Sequence, residues 1–344
     1  MILGIESSCD ESALALYSRT EGVIDEWIHS QIVKHADYGG VVPDIAVSEH
    51  LSNFTPLLSL ARGKFQLSRM VTKIAVTCGP GLVGCLGIGI SVAKSLGLLW
   101  DVPVVGVNHL RGHAFSPFLP LQLVDKESFA NYLPHLGLLV SGGNTVLFRL
   151  DEGMDISILA KTVDDAAGEA LDKGAKLLGI PYPGGAELER RAKGGNAKAY
   201  DFPQAFQAKN EMKFSFSGLK TSLLYTIKKM TNTQVKDHYS DLSASYQQAA
   251  IMQLVRKTSH AWEQGDFRSI GLSGGVANNQ LLRDEMKELA QRNGTELLCA
   301  EPRHTGDNAA MIAYAAHVDS KNTWANQNQE LSFNSSLTLS EFPS

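Results

Sequence analysis

Short apolar runs alternate with small, acidic or glycine-rich turns along the first half of the chain. "MILGI" and "ALALYS" flank the turn "ESSCDES", and "LGLLV" and "VLFRL" flank "SGGNT". Apolar runs of this length, bounded by turn residues, predict buried β-strands. We therefore predict two strand–turn–strand units of similar shape, and their recurrence indicates an internally duplicated architecture.

Longer segments place helices between further strands. Residues 73–100, "KIAVTCGPGLVGCLGIGISVAKSLGLLW", predict a strand, a Gly/Pro loop and a long helix, and "VPVVGVN" predicts the next strand. Residues 163–179 have helical spacing and end near a glycine, and "SIGLSGGVANNQLL" at 269–282 predicts a strand, a glycine turn and a helix. This alternation favours an α/β fold.

The length of 344 residues favours two domains or one duplicated fold. We predict a first lobe over residues 1–134 and a second over 135–318. The second lobe is expected to carry a mostly helical, basic insert at about 186–265. Residues 319–344 are rich in Asn and Ser without periodicity, and they are expected to form a flexible tail.

The composition, 44% hydrophobic and 19% charged, is typical of a soluble globular protein. The longest apolar stretch is broken by Lys94, Asp101 and Pro103, so we predict no membrane span and no membrane partner. The N-terminal residues lack the pattern of a signal peptide, and we expect a cytoplasmic location. No disulfide framework or cysteine zinc site is predicted, because C-x-x-C spacing is absent among Cys9, Cys78, Cys85 and Cys299.

The net charge of −5 is unevenly distributed. Residues 190–229 contain nine Lys and Arg against two acidic side chains, a local net charge of +7. A basic surface on an acidic protein favours selective contact with a phosphate backbone. A solvated helix face is the alternative for this segment.

Two histidines stand four residues apart where a strand gives way to a helix. His109 and His113 would share one helical face and could bind one metal ion. A metalloprotease would need Glu directly after the first histidine, where Leu110 stands. Asp307 in "HTGDN" is a candidate third ligand. His304 competes with it, and capping of the following helix is an alternative role for Asp307.

Glycine turns supply a second candidate site. "SGG" at 141–143 and at 273–275 each follows an apolar strand, and the backbone N–H groups of such turns can hold phosphate. A tight turn without a ligand is the alternative. No P-loop motif is present, and "GPGLVG" departs from the dinucleotide fingerprint at Pro80. The residues alone therefore predict an α/β nucleotide binder of another kind.

Nine ordered motifs extend to about residue 318. They are "GIESSCDES", "YGGVVPDIA", "GPGLVGCLGIGISVAKSLG", "GVNHLRGH", "LVSGGNT", "DDAAGEALDKGAKLLGIPYPGG", "FSFSGLKT", "GGVANNQLLR" and "TGDNAAMIA". Together they resemble the tRNA threonylcarbamoyladenosine transferases, the TsaD family, once described as O-sialoglycoprotein endopeptidases. The resemblance implies a duplicated actin-like ATPase fold, ribonuclease H-like, with two lobes around a central cleft.

The resemblance also implies an activity. The threonylcarbamoyl group of threonylcarbamoyl adenylate would be transferred to the exocyclic amine of adenosine 37 in tRNAs that read codons starting with A, and AMP would be released. One divalent metal ion per subunit is implied, iron(II) in preference to zinc, with His109, His113 and Asp307 as ligands. The implied adenylate-binding residues are Leu139, Val140, Ser141, Gly142, Gly143, Asp172, Gly185, Glu189 and Asn279.

The implied partners are tRNA, the actin-like paralogue TsaB and the small ATPase TsaE, and ATP is a further nucleotide to consider in their complex. For the proton of the attacking amine we take Asp10 or Glu11 as acceptor, because they form an acidic turn next to the expected cleft. Ordinary turn chemistry is the alternative for both.

Three positions depart from many bacterial members, which have Glu at 111, His at 144 and Arg near 48. Here these positions are Arg111, Asn144 and Ser48. The expected metal ligands are intact, which favours an active enzyme. The alternatives are an actin-like small-molecule kinase and a diverged non-catalytic paralogue.

Overall fold

A computed structural model describes residues 1–123, 126–319 and 331–342. The chain divides into two compact units. Unit 1 comprises the described residues of 1–131, 152–156 and 300–344, and unit 2 comprises 132–151 and 157–299. The boundary near residue 132 lies close to the predicted one, but the last segment belongs to unit 1 rather than to the second lobe.

Each unit contains one five-stranded sheet. The strands of unit 1 are β1 (Ile2–Glu6), β2 (Glu11–Ser18), β3 (Gly22–Ser30), β4 (Lys73–Gly79) and β5 (Val104–Asn108). The strands of unit 2 are β6 (His135–Val140), β7 (Thr145–Leu150), β8 (Ile156–Lys161, of which Ile156 belongs to unit 1), β9 (Ser269–Ser273) and β10 (Leu297–Cys299).

The two sheets have the same topology. Their orders are β3-β2-β1-β4-β5 and β8-β7-β6-β9-β10. In each sheet the central strand is antiparallel to the strand that follows it in sequence and parallel to the strand on its other side. The outermost parallel strands, β5 and β10, pair with β4 and β9. The predicted duplication and the α/β class are thus confirmed in the described residues.

Helices connect and cover the strands. Those of unit 1 are α1 (Ile32–Ala36), α2 (Pro43–Lys64), α3 (Leu67–Met70), α4 (Val83–Trp100), α5 (His109–Phe115), α6 (Lys126–Phe129) and α13 (Ala309–Val318), with short 3₁₀ helices at Ser116–Leu121 and Pro302–His304. Those of unit 2 are α7 (Ala167–Leu177), α8 (Gly185–Ala192), α9 (Ser217–Lys228), α10 (Asn232–Asp237), α11 (Tyr239–Gln264) and α12 (Gln280–Arg292), with a 3₁₀ helix at Gly275–Asn278.

The core of unit 1 forms around β1, all five residues of which are buried. Helix α13 packs against β1 and β2. The approach is close at Gly4, where a Cβ would lie 2.2 Å from the carbonyl oxygen of Ala309. A side chain at position 4 would push the helix away. This contact explains why the segment that begins at residue 300 belongs to unit 1.

Helix α4 has the length and mean hydropathy of a membrane span, alone among the helices of the described residues. Lys94 is its only charged residue. The expected interruption at Lys94 does not shorten this helix, whereas Asp101 and Pro103 lie beyond its end. The helix packs against β4 and α2, where it covers the sheet of unit 1. Core helices of globular domains have the same composition.

Helix α11 is a central element of unit 2. It packs against α8, α12 and β6, and its buried residues occur on most of its circumference. The region predicted as a mostly helical, basic insert thus contributes a core helix to unit 2. Its basic residues lie mainly in α8, in α9 and in the irregular chain between them, which is attached to α11 by bonds such as that from Lys257 Nζ to the carbonyl of Ala208 at 2.8 Å.

Residues 331–342 lie against unit 1, and we call them the C-terminal strap. Leu337 and Leu339 are buried, and the amide of Asn334 donates to the carbonyl of Cys78 at 2.8 Å. These contacts contradict a flexible tail over this range. The physical reason is that Leu337 packs into the apolar core of unit 1, and this burial favours an ordered segment.

Candidate metal centre and glycine-turn site

The histidine pair lies on α5, as the spacing predicted. Helix α5 begins directly after β5, and the side chain of Asn108 accepts a hydrogen bond from the amide of Leu110 at 2.9 Å, which caps the helix. Both imidazoles are buried, and their ring centroids are 4.7 Å apart. The strand-to-helix junction therefore fixes both rings on one face of a single short helix.

Asp307 completes the cluster. Its Oδ1 lies 3.1 Å from Nε2 of His113 and 3.4 Å from Nε2 of His109. One ligand atom from each of the three residues lies within 4.8 Å of the other two. Capping of α13 is carried out by Asn308, whose Oδ1 accepts from the amide of Met311 at 2.8 Å. The capping alternative is therefore wrong, and the Asp307 carboxylate is available to the histidines.

The competing histidine lies outside this cluster. Nε2 of His304 is 2.6 Å from Oε1 of Glu26 on β3, and the ring is buried. This pairing holds the short 3₁₀ helix that precedes Asp307. His304 thus supports the loop that carries Asp307, the candidate third ligand, and lies outside the cluster.

Glu6 orients the first histidine. Its Oε2 lies 3.0 Å from Nδ1 of His109, and Oγ of Ser8 lies 3.2 Å from the same nitrogen. Thr77 Oγ1 also donates to Glu6 Oε2, so that the fully buried carboxylate is held in place. A carboxylate on Nδ1 leaves Nε2 as the nitrogen for a metal ion. Sequence analysis missed Glu6 and Ser8, and the available signal was an acidic residue at the end of the apolar strand "MILGI".

The charged groups of the cluster leave an excess of negative charge. Burial would raise the pKa of Glu6, but its ion pair and hydrogen bond with His109 hold that pKa below the usual value. Burial would also raise the pKa of Asp307, but its ion pairs and hydrogen bonds with His109 and His113 outweigh that effect and lower the pKa. Burial would lower the pKa of His109, yet Asp307 and Glu6 raise it well above the usual value, whereas burial lowers the pKa of His113. Two ionised carboxylates therefore face one proton on His109, a charge that a divalent cation could replace.

The donor set fits such a cation. Two imidazole nitrogens and one carboxylate oxygen suit iron(II) or zinc, and three protein ligands leave further coordination positions open. The carboxylate behind His109 is the arrangement expected for a metal-binding histidine. The residues present thus fit the metal ion that the sequence resemblance implied.

Asp10 ends the turn that leads into β2, and Glu11 is the first residue of that strand. Oε1 of Glu11 accepts from Oγ of Ser30 at 3.1 Å. Burial, together with the charges of Asp307 and Asp10, raises the pKa of Glu11 to about 10. Glu11 therefore holds a proton at neutral pH in the absence of a cation, and in that state it can donate a hydrogen bond but cannot act as a base. The carbonyl of Asp10 accepts from the amide of Gln31 at 2.9 Å.

The predicted glycine turn connects the antiparallel strands β6 and β7 in unit 2. Leu139 and Val140 end β6, and the amide of Ser141 donates to the carbonyl of Asn144 at 2.8 Å. Helix α7 starts against this turn, because the amide of Gly168 donates to the carbonyl of Ser141 at 3.2 Å. The two glycines of the turn are exposed, and an added Cβ on either would meet nothing within 4 Å. Both glycines thus lie at the surface of unit 2, at the end of the strands that they connect.

The other predicted binding residues hold the starts of two helices. Oδ1 of Asp172 accepts from the amides of Gly184 and Gly185, both at 2.8 Å, at the start of α8. Oε1 of Glu189 accepts from the amide of Gln280 at 2.8 Å, which joins α8 to the start of α12. Asn279 caps α12 through the amide of Leu282 at 3.1 Å. Unit 2 therefore contains all nine predicted adenylate-binding residues.

The three departures from the family pattern have different surroundings. Arg111 is fully buried, forms an ion pair with Asp319 and donates from Nη2 to the carbonyl of Met154 at 2.9 Å. Ser48 is exposed on α2. The amide of Asn144 donates to Oγ of Ser141 at 3.1 Å within the glycine turn. Arg111 is thus a structural residue of unit 1.

The duplicated sheet defines the class of protein: the chain has the fold of the actin-like ATPases. It is similar to HypF of T. kodakarensis with a TM-score of 0.59 and 15% identity, covering 94% of this chain and 49% of that one. It is also similar to component A of the (R)-2-hydroxyglutaryl-CoA dehydratase of Acidaminococcus fermentans, with a TM-score of 0.50, 14% identity and coverage of 92% and 97%. The activator of the 2-hydroxyisocaproyl-CoA dehydratase of Clostridium difficile, solved with bound ADPNP, matches with a TM-score of 0.52, 15% identity and coverage of 92% and 94%. The chain thus spans about half the length of HypF, and these likenesses establish the fold alone.

The family is established by sequence. The model of the tRNA N6-adenosine threonylcarbamoyltransferase family, TsaD, matches residues 22–314. The chain belongs to this family. The resemblance inferred from the nine motifs is thereby confirmed.

Proposed function

We propose that this protein is a metal-dependent tRNA N6-adenosine threonylcarbamoyltransferase. It takes the threonylcarbamoyl group from threonylcarbamoyl adenylate and attaches it to the exocyclic amine of adenosine 37 in tRNAs that read codons starting with A. Family membership supports the reaction class. The observation that carries the metal dependence is the convergence of two Nε2 atoms and Asp307 Oδ1, with Glu6 behind His109.

One divalent metal ion, iron(II) in preference to zinc, is proposed for this site, where it would act as a Lewis acid or fix the threonyl end of the substrate. His109 and His113 bind through Nε2, as neutral imidazoles. Glu6 keeps the proton of His109 on Nδ1, because its carboxylate can only accept a hydrogen bond there. Asp307 contributes the negative charge that a divalent cation needs.

The reaction is an acyl transfer. The amine nitrogen of adenosine attacks the carbamoyl carbonyl carbon, the bond from that carbon to the phosphate oxygen breaks, and AMP leaves. We propose that the amides of Gly142 and Gly143 hold the adenylate phosphate, which stabilises AMP as it departs. The amine loses one proton, and Asp10 is the proposed acceptor. Glu11 would be able to share that role only after a cation has lowered its raised pKa.

The proposed tRNA surface is the basic segment 190–229. Six of its lysines are exposed in the structure, and they are Lys193, Lys198, Lys209, Lys213, Lys228 and Lys229. Lys209 is paired with Glu263, and Arg190 and Arg191 are paired with Glu187. Exposed lysines without a described ion pair therefore remain as candidates for phosphate contact, and among them we choose the adjacent pair Lys228 and Lys229 at the end of α9. We further propose a cytoplasmic location and a complex with TsaB and TsaE, in which ATP is a further nucleotide.

The test is transfer of labelled threonine from synthetic threonylcarbamoyl adenylate to tRNA, with partner proteins present. We expect label in tRNA with the wild type and a loss of at least a hundredfold with His109→Ala/His113→Ala, together with loss of bound metal.

Glu6→Gln should retain folding and bind metal 10- to 100-fold more weakly, because Nδ1 of His109 loses its charged partner. His29→Ala/His238→Ala, which changes two histidines outside the cluster, is the matched control.

Undiminished transfer by the His109→Ala/His113→Ala variant would refute the metal role. Phosphorylation of a small molecule by ATP, without transfer to tRNA, would favour the kinase alternative. A wild type that binds metal and partners but transfers nothing would favour the non-catalytic paralogue.

A further inference from the structure

Asn108, which directly precedes the proposed ligand His109, is hydrogen-bonded to the C-terminal strap. Nδ2 of Asn108 donates to the carbonyls of Thr338 and Glu341, at 2.8 and 3.0 Å. Its Oδ1 accepts from the amide of Leu110 at 2.9 Å. Asn108 is fully buried, so both amide protons and the oxygen have their partners inside unit 1. One side chain therefore connects the C-terminal strap to the cap of α5.

A second residue of the same helical turn contacts the strap. The guanidinium carbon of Arg111 lies 4.3 Å from the ring centroid of Phe342. Arg111 is also paired with Asp319, which follows α13 directly. A guanidinium placed over the face of an aromatic ring is attracted by the ring's electron-rich face, and more strongly where water is excluded. Positions 108 and 111, on either side of His109, are thus both held by the end of the chain.

The strap has its own attachment to the sheet. The amide of Asn334 bonds to the carbonyl of Cys78, and Leu337 and Leu339 are buried. At Gly79 an added Cβ would lie 1.9 Å from the carbonyl oxygen of Asn334, so the strap lies directly on the end of β4. Its position is therefore set by β4 as well as by α5, which allows it to act as a fixed support.

We propose that the C-terminal strap is a positioning element for the metal centre, which acts through Asn108 and Arg111 on helix α5. This inference rests on the metal site of the proposed function. Helix α5 has only seven residues, too few to be stable without tertiary support. A metal site also requires its ligands within about 0.5 Å of the binding geometry. Loss of the strap would leave the amide of Asn108 without acceptors and let α5 shift relative to Asp307.

The experiment measures metal affinity, by titration with cobalt(II) and by chelator competition. Three changes remove strap contacts in different ways: truncation after residue 330, Asn108→Ser and Phe342→Ala. Serine keeps the capping oxygen but cannot reach both strap carbonyls, so it separates the cap from the strap. We expect at least tenfold weaker binding for the truncation and for Asn108→Ser, and a smaller loss for Phe342→Ala. Ser336→Ala, an exposed change within the strap, should bind metal like the wild type.

A rescue arm separates positioning from general damage. A synthetic peptide of residues 331–344, added to the truncated protein, should restore the affinity and the cobalt spectrum. Wild-type affinity in the truncated protein would overturn the inference, and so would a loss that the peptide does not reverse while circular dichroism reports an intact fold.

Amide hydrogen exchange of residues 108–115 gives a readout without metal. We expect exchange in α5 to rise at least tenfold when the strap is removed. If the wild type binds no metal, the proposed function fails, and exchange then decides the strap: unchanged protection of α5 would overturn the inference.

Discussion

Glu6 contacts Nδ1 of His109, so that Nε2 faces Asp307 in the candidate metal cluster. The histidine pair itself is visible in the sequence, because a spacing of four places two side chains on one face of a helix. Glu6 is 103 residues from His109, and it reaches the ring only because β1 pairs beside β4, which in turn pairs with β5. Local spacing cannot reveal a partner that is brought in by strand order.

His135 allows a prediction about pH. It is fully buried at the start of β6, with Nδ1 2.6 Å from Oγ of Ser269. The Ser269 hydroxyl donates to the carbonyl of Tyr132 at 2.6 Å, so the histidine is the donor in its bond to Ser269. Burial lowers the pKa of His135 to about 3. Below about pH 6.5 His135 therefore binds a proton in the unfolded chain but not in the folded protein.

The direction in which stability changes with pH follows from this difference in proton binding. The contribution of His135 to stability is complete above pH 6.5 and is lost as the pH falls towards 3. His135→Asn retains a donor to Ser269 and does not titrate. Between pH 7 and pH 5 the wild type should lose about 2 kcal/mol of unfolding free energy relative to this variant. Urea unfolding, followed by a probe in unit 2, measures it; parallel pH curves for the two proteins would contradict the account.

At the scale of elements, the glycine turn and helix α7 depend on one close approach. A Cβ at Gly168 would lie 2.5 Å from the carbonyl oxygen of Ser141. Gly168→Ala should therefore displace the turn, destabilise unit 2 by about 1–3 kcal/mol, and weaken adenylate binding. Thermal unfolding and calorimetric titration with an adenylate analogue measure the two effects.

Gly218→Ala is the matched control for that change. Gly218 is exposed in α9, and a Cβ there would meet nothing within 4 Å. The substitution should be neutral or slightly stabilising, because alanine favours a helix over glycine by about 1 kcal/mol. Equal effects of the two substitutions would show that the contact at Gly168 does not position the turn.

Most strands and helices near the two sites can be predicted from the sequence. The packing partners of α13 and of the C-terminal strap cannot. The apolar runs that became β1, β5, β6 and β9 carry their own signal, since each is bounded by turn residues. Helix α13 is uniformly apolar, which indicates burial without indicating the surface it covers. The strap has no periodicity at all, and its attachment depends on Asn108 and the end of β4. Pairing partners of this kind are decided by the tertiary fold.

At the scale of the whole molecule, a basic surface on an acidic protein predicts salt-dependent binding of tRNA. Lys228→Glu/Lys229→Glu should weaken tRNA binding at least tenfold at low salt and reduce the slope of log affinity against log salt, because fewer counterions are released. Filter binding or fluorescence anisotropy over a range of salt concentrations measures both quantities.

Lys287→Glu/Arg292→Glu on α12 changes the net charge by the same amount at exposed positions outside the basic segment. This control should leave tRNA affinity within about twofold, since binding depends on where the charge lies. If both double variants weaken binding equally, the segment 190–229 is not the tRNA surface.

The candidate metal centre is formed by residues that are synthesised at very different times. His113 and Asp307 are 194 residues apart, and the continuous stretch 157–299 of unit 2 lies between them. At translation rates of about 5–20 residues per second, the ribosome needs roughly 10–40 s to add Asp307 after His113 has been made. During that interval unit 2 can fold, while β1 still lacks the helix that covers it. A nascent chain therefore carries an apolar sheet without its covering helix, and two histidines without Asp307, until residues 307–318 are synthesised. We expect such an incomplete product to be inactive and to be recognised by chaperones and proteases.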